Sequence, residues 1–162
     1  MKVVLFIGLV LILVPIQSTF FHYVSIVGVR PDLCLVVACV VGFLSGRTHG
    51  LIVGFGLGFV QDLFSAGDLW MNTLTKPLVG FLSGLAARNL VNIAPQSIFV
   101  PALILSMVSG LILLVSVRTG ANVSEILGGI QSTLLPQAFF DGVVAMGVNW
   151  SIAWWMPKES VL

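Results

Sequence analysis

The chain has 162 residues, of which 58% are hydrophobic and only 8% charged, for a net charge of +1. A soluble domain carries about 25% charged residues, so this chain lacks the polar surface that water requires. It reads as a polytopic membrane protein, and its near-zero charge supplies no basic field for nucleic acid.

Met1 to Phe21 is an apolar run behind one lysine. It resembles a signal peptide, but further hydrophobic spans follow at once, so it is expected to be a retained first span in which Pro15 can introduce a kink. Phe20, Phe21, His22 and Tyr23 then read as an interfacial aromatic belt. Val24 to Asp32 is a connector ending Arg30-Pro31-Asp32, where Asp32 can cap the next helix. That second span, Leu33 to Ser45, is short, and Gly46-Arg47-Thr48-His49 is expected as a tight polar turn into a third span, Gly50 to about Phe64. Both fall below the ~20 residues that a 30 Å hydrocarbon core requires. They therefore need a thinned bilayer or shielding by neighbouring helices.

A turn at Ser65 to Trp70 leads to the fourth span, Met71 to about Ala87, with Pro77 in its first turns. Arg88 to Asn92 leads to Pro95, and Ile98 to Val117 is a clean fifth span. Arg118 to Glu125 is a polar loop; Ile126 to Leu135 is glycine-broken and reads as an interfacial or re-entrant piece. The last span is expected from near Pro136 to Trp155, with Trp150, Trp154 and Trp155 as a second aromatic belt. The architecture is thus all-α: about six transmembrane helices in a single integral membrane domain over residues 1–162, with loops too short to fold alone. Basic residues set its orientation. With both termini cytoplasmic, Lys2, Arg47, Arg88 and Lys158 lie inside and Arg30 and Arg118 outside.

Gly50, Gly54 and Gly58 share one helix face, and Gly80 and Gly84 do so on the next span. Lipid tails are as apolar as leucine, so helices associate in a membrane through close backbone approach at small residues. These five glycines are the expected helix-packing or partner-binding seams. Asp62, Lys76 and Asp141 lie at membrane depth, where charges face the bundle interior and find partners. Lys76 is expected to pair with Asp62 or Asp141, unless all three snorkel to the interface.

Cys34 and Cys39 are five apart in an apolar run and read as small core residues rather than a redox or metal motif. His22 and His49 fall on opposite sides of the membrane and cannot form one site. No HExxH, GxSxG or GxxxxGKS/T motif is present, so neither an enzymatic activity nor a cofactor or metal is expected.

Arg30-Pro31-Asp32-Leu33, then GFGLGFVQDLFSAG, then LWMNTLTKPLVGFLSG resemble the rod shape-determining protein MreD family. The matching positions include Asp62-Leu63, Asn72, Leu74 and Val79-Gly80-Phe81-Leu82, while Trp70 stands where that family usually has glycine. The resemblance implies a non-enzymatic inner-membrane subunit of the bacterial cell-elongation machinery. Its partners would be MreC, the peptidoglycan synthases RodA and a class B penicillin-binding protein, and, indirectly, MreB filaments. It also implies a compact bundle similar to the substrate-binding subunits of energy-coupling-factor vitamin transporters. Those carriers supply the rival reading, in which Trp70, Asn72, Asp62, Lys76 and Asp141 would line an outward cavity.

Overall fold

The computed structural model describes residues 14, 15, 17, 31–64, 70–89, 95–117 and 122–155. Most of the first span, its aromatic belt with His22, and Arg30 lie outside the described residues. Every described element is helical: α1 (Leu33–Ser45), α2 (Arg47–Phe64), α3 (Met71–Asn89), a 3-10 turn (Pro95–Ile98), α4 (Phe99–Val117), α5 (Val123–Gly129), a π-turn (Ile130–Leu134) and α6 (Leu135–Trp155).

Two of the expected boundaries change. The turn after α1 is one residue rather than four. Gly46 alone leaves the helical conformation, at φ 89°, a backbone state that side chains disfavour and glycine adopts freely. Its N–H still bonds the Gly42 carbonyl, and its own carbonyl already accepts from Gly50 N–H. Arg47, Thr48 and His49 therefore form the first turn of α2. The second change concerns the last span. Val123 to Trp155 is one continuous helical path in which α5 feeds the π-turn and the π-turn feeds α6. Pro136 has no N–H for the carbonyl four residues back, and its ring would crowd that carbonyl. The wider π-turn lies immediately before it, with Leu135 N–H reaching Ile130 O, five residues back. The segment expected as an interfacial or re-entrant piece, Ile126 to Leu135, lies within this path and leads into the last helix.

The helices pack as two groups. In the first, α2 and α3 run antiparallel in a register that steps by four on both sides: Gly50 faces Gly80, Gly54 faces Lys76 and Gly58 faces Asn72. Gly84 lies against Arg47, bringing the N-terminus of α2 beside the C-terminal part of α3. Helix α1 closes this group and runs parallel to α3, with Ser83 Oγ donating to the Cys39 carbonyl at 2.7 Å. Gly42 of α1 joins Gly50 and Gly80 in a three-way backbone junction. In the second group, α4 and α6 run antiparallel. Phe99 packs edge-on against Phe139 at 5.9 Å, and Gly142 seats the Phe99 ring. The groups meet through one core of Leu35, Val36, Cys39, Val40, Phe43, Val79, Ile98, Ala102, Leu105 and Ala145.

Polarity is inverted relative to a water-soluble fold. Lys76, Asp62, Asp141, Thr75, Ser83, Ser106, Ser109 and Asn149 are buried. Leu51, Ile52, Phe55, Phe59 and Leu63 stand exposed along α2, as do Val100, Ile104, Val108 and Val115 along α4. Gln96–Ser116 is the one helix among the described residues that is long and apolar enough to cross a membrane by itself. At 13 residues, α1 spans about 20 Å, and α2 and α3 carry charge in their buried faces.

Candidate functional site

The buried charges form one connected chain of polar groups at the N-terminal ends of α1 and α3. Helix starts leave N–H groups without partners, and these two starts recruit carboxylates. Asp32 caps α1: its Oδ1 accepts from Leu35 N–H at 3.0 Å. Gln17, from the segment before α1, donates Nε2 to that same Oδ1 at 3.0 Å and accepts Cys34 N–H at 2.9 Å. The start of α3 is capped from another helix. Asp62, in the last turn of α2, accepts from Asn72 N–H and Nδ2 at 3.2 and 2.8 Å, and from Thr73 N–H and Oγ1 at 2.7 and 2.6 Å. The glycine ridge of α2 puts it there. Gly50, Gly54 and Gly58 bring α2 against α3, and the next position in that series is Asp62.

Lys76 pairs with neither of its expected partners. Its Nζ lies 2.8 Å from Asp32 Oδ2 and 2.7 Å from Asn72 Oδ1. The reason is local. Asp62 is committed to four donors on α3 itself, whereas α1 runs parallel to α3 and sets Asp32 beside the second turn of α3. Asn72 bridges Asp62 and Lys76, donating to the carboxylate and accepting from the ammonium. Asp141 joins from the other helix group: its Oδ1 accepts Asp32 N–H at 2.8 Å and its Oδ2 contacts Ser106 Oγ at 2.5 Å. Lys76 and Asp141 have no exposed surface. The polar path therefore runs Asp62, Asn72, Lys76, Asp32, Asp141, Ser106 and touches α1, α2, α3, α4 and α6.

Sequence reasoning found Asp32, Asp62, Lys76 and Asp141 but missed Gln17, Asn72, Thr73 and Ser106 as their partners, and missed Gly42 as a partner of Gly80. A polar residue every few positions in otherwise apolar helices is the available signal, and Asn72 carries it: it is one turn before Lys76. Gly42 is the one glycine in α1; it stands four before Gly46 and eight before Gly50, so the period-four series extends back to it across the turn. Of the sequence-predicted interfacial residues, Pro31 and Asp32 fall at the start of α1. The five glycine faces are filled by this chain's own backbone: a Cβ on any of them would meet backbone atoms closer than 3.0 Å.

Asp32, Asp62, Asn72 and Gly80, which form this chain and its seams, are also among the residues on which the resemblance in the sequence rests. A family model described as rod shape-determining protein MreD matches residues 1–157. The chain belongs to the MreD family. This is a family of rod shape-determining membrane proteins, and membership accounts for the apolar exterior and buried charge of this fold. Comparisons with curated proteins and with solved structures give no match.

In this MreD family member Asp62 is expected to act as a cap. Asp62→Ala removes the acceptor for four donors at the start of α3. Hydrogen bonds to charged groups contribute about 1.5–3 kcal/mol, and loss of a cap alone about 1 kcal/mol. Thermal unfolding of the purified protein should show a loss on the order of 2–3 kcal/mol, with Asp62→Asn intermediate because one acceptor oxygen remains.

Proposed function

We propose that this MreD family member is a non-enzymatic scaffold of the bacterial cell-elongation machinery. It binds MreC and helps couple MreB filaments to RodA and a class B penicillin-binding protein. In this reading the chain crosses the inner membrane several times with both termini in the cytoplasm, and Arg47 and Arg88, exposed near the junction of α2 with the end of α3, face the cytoplasm.

The observation that supports this reading is how the polar groups are used. Asp62, Asn72, Lys76, Asp32 and Asp141 bind one another across four helices, while large apolar side chains line the exterior. Committed polar groups hold helices in place, and exposed apolar faces meet lipid or the helices of other membrane proteins. The carrier reading needs the same polar groups turned toward an open cavity, and they are turned toward each other instead. Affinity purification of the tagged full-length protein from native membranes, read by mass spectrometry, should recover MreC and the synthases. Recovery of an ATPase coupling module in their place would replace the scaffold with the carrier.

A further inference from the structure

The polar chain from Asp62 through Lys76, Asp32 and Asp141 to Ser106 is a level that the helices share. On the side toward Arg47 and Arg88 the two groups match in height. Leu51 of α2 lies about 16 Å from Asp62, and Gln96, just ahead of α4, lies about 15 Å from Ser106. Ile98, Ala102 and Leu105 of this half pack in one core with Leu35, Phe43 and Val79. On the other side the groups part. Helix α2 ends at Phe64, just past Asp62, and α3 starts at Met71, about 8 Å beyond Lys76. Helix α4 continues to Val117, about 16 Å beyond Ser106. Gln96–Ser116, at 21 residues, covers about 31 Å, a full hydrocarbon core.

The short α1 is shielded, with Leu35, Val36, Cys39, Val40 and Phe43 buried. The α2–α3 hairpin is not. Leu51, Phe55, Phe59 and Leu63 stand exposed on α2, and Leu74, Leu78 and Leu82 on α3, each set in steps of one helical turn. Polar groups bound this face. Thr48, His49 and Arg88 are exposed at one end, and Trp70 is exposed at the other. From Leu51 to Phe64 the apolar face is about 20 Å tall.

We infer that the outer face of the α2–α3 hairpin is covered by lipid and holds the bilayer beside it about 10 Å thinner than beside α4. The side chains select the occupant. Helices associate in a membrane through small residues, and Gly50, Gly54, Gly58, Gly80 and Gly84 are used up in the hairpin's own seam and its contact with Gly46–Arg47. The bulky Leu and Phe side chains left outside suit acyl chains. A 30 Å core here would draw Thr48, His49 and Arg88, or the Asp62 cap, into hydrocarbon, and acyl chains deform more readily than such groups desolvate. The bilayer therefore slopes around the molecule, and phospholipid with short or disordered chains is favoured at the hairpin. This rests on the chain crossing the membrane, not on which proteins it binds.

The test uses the full-length protein in dioleoylphosphatidylcholine vesicles. Single cysteines replace exposed Leu51, Phe55, Phe59 or Leu63 on α2, or Val100, Ile104, Val108 or Val115 on α4, and each carries a nitroxide. Cys34 and Cys39 are buried, and the unsubstituted chain is the blank. Accessibility to oxygen against a water-soluble nickel chelate reads depth below the headgroups. The deepest α4 label should lie about 15 Å down and the deepest α2 label about 10 Å, with Leu51 and Leu63 both near the headgroups. In dimyristoleoylphosphatidylcholine, whose bilayer is already thin, that gap should narrow. Equal depth profiles on α2 and α4, or a gap that ignores chain length, would overturn the inference. So would α2 labels shielded from both oxygen and nickel, which would put protein on the face. Labels on α4 that all stay shallow would overturn membrane crossing itself, and this inference with it.

Discussion

Lys76→Met is expected to be among the most damaging single substitutions in this chain. Methionine has nearly the same length and reaches the same space, so the change isolates the charge. Lys76 Nζ currently meets Asp32 Oδ2 at 2.8 Å and Asn72 Oδ1 at 2.7 Å, from a side chain with almost no exposure. Removing one partner of a buried ion pair costs about 3–5 kcal/mol, because the other charge stays behind without compensation. For a chain of this size that corresponds to a fall in melting temperature on the order of 10 °C. The partner substitution supplies the control. Asp32→Asn in the Lys76→Met background removes the stranded charge while keeping an acceptor for Leu35 N–H, so the double variant should recover much of the loss. A double-mutant cycle on thermal melts in detergent would measure the coupling. Additive losses would mean that Lys76 contributes through packing of its methylene stem alone.

The pairing also shows where sequence reading stops. That Lys76 would be buried and partnered follows from the cost of an isolated charge at membrane depth. That the partner is Asp32 does not. The two residues are 44 positions apart, and Asp62 and Asp141 looked equally placed along their helices. What selects Asp32 is that α1 lies parallel to α3, a tertiary fact with no local signature. Asp62 was legible as a polar residue closing a glycine series, yet its role as a cap for a different helix needed the register of the α2–α3 hairpin. The period-four glycines did carry that register, because close packing of two antiparallel helices repeats at nearly one helical turn on both. Helix ends were legible to within a few residues at α1, α3 and α4. The turn at Gly46 was misread, and the continuity of the helical path across the start of the last span at Pro136 was not read, for opposite reasons. At Gly46 a positive-φ glycine made the turn shorter than its polar neighbours suggested. At Pro136 a π-turn kept the helix continuous through a residue that usually ends one.

The second large effect is expected at Gly80. A Cβ built there would overlap the carbonyl oxygen and carbon of Gly50, and both sides of that contact are backbone, so no side chain can rotate away. Gly42 and Gly50 each face the Gly80 carbonyl, so separating α3 from α2 also lifts it from α1. The displacement would run along the hairpin to the pairs Gly54–Lys76 and Gly58–Asn72 and so to the Asp62 cap. Gly80→Leu should therefore abolish the folded protein, seen as loss of the monodisperse peak in detergent and degradation in membranes. Gly80→Ala should already cost several kcal/mol, since overpacking alone costs about 1–3 kcal/mol where side chains can adjust. Gly147 on α6 is the matched control. It is exposed, and a Cβ there meets nothing within 4 Å, so Gly147→Ala should leave stability unchanged or raise it by up to about 1 kcal/mol through helix propensity. If Gly80→Ala and Gly147→Ala melted alike, the tight α1–α2–α3 junction would not exist in the folded protein, and Asp62 and Lys76 would lose the geometry that brings them to their partners.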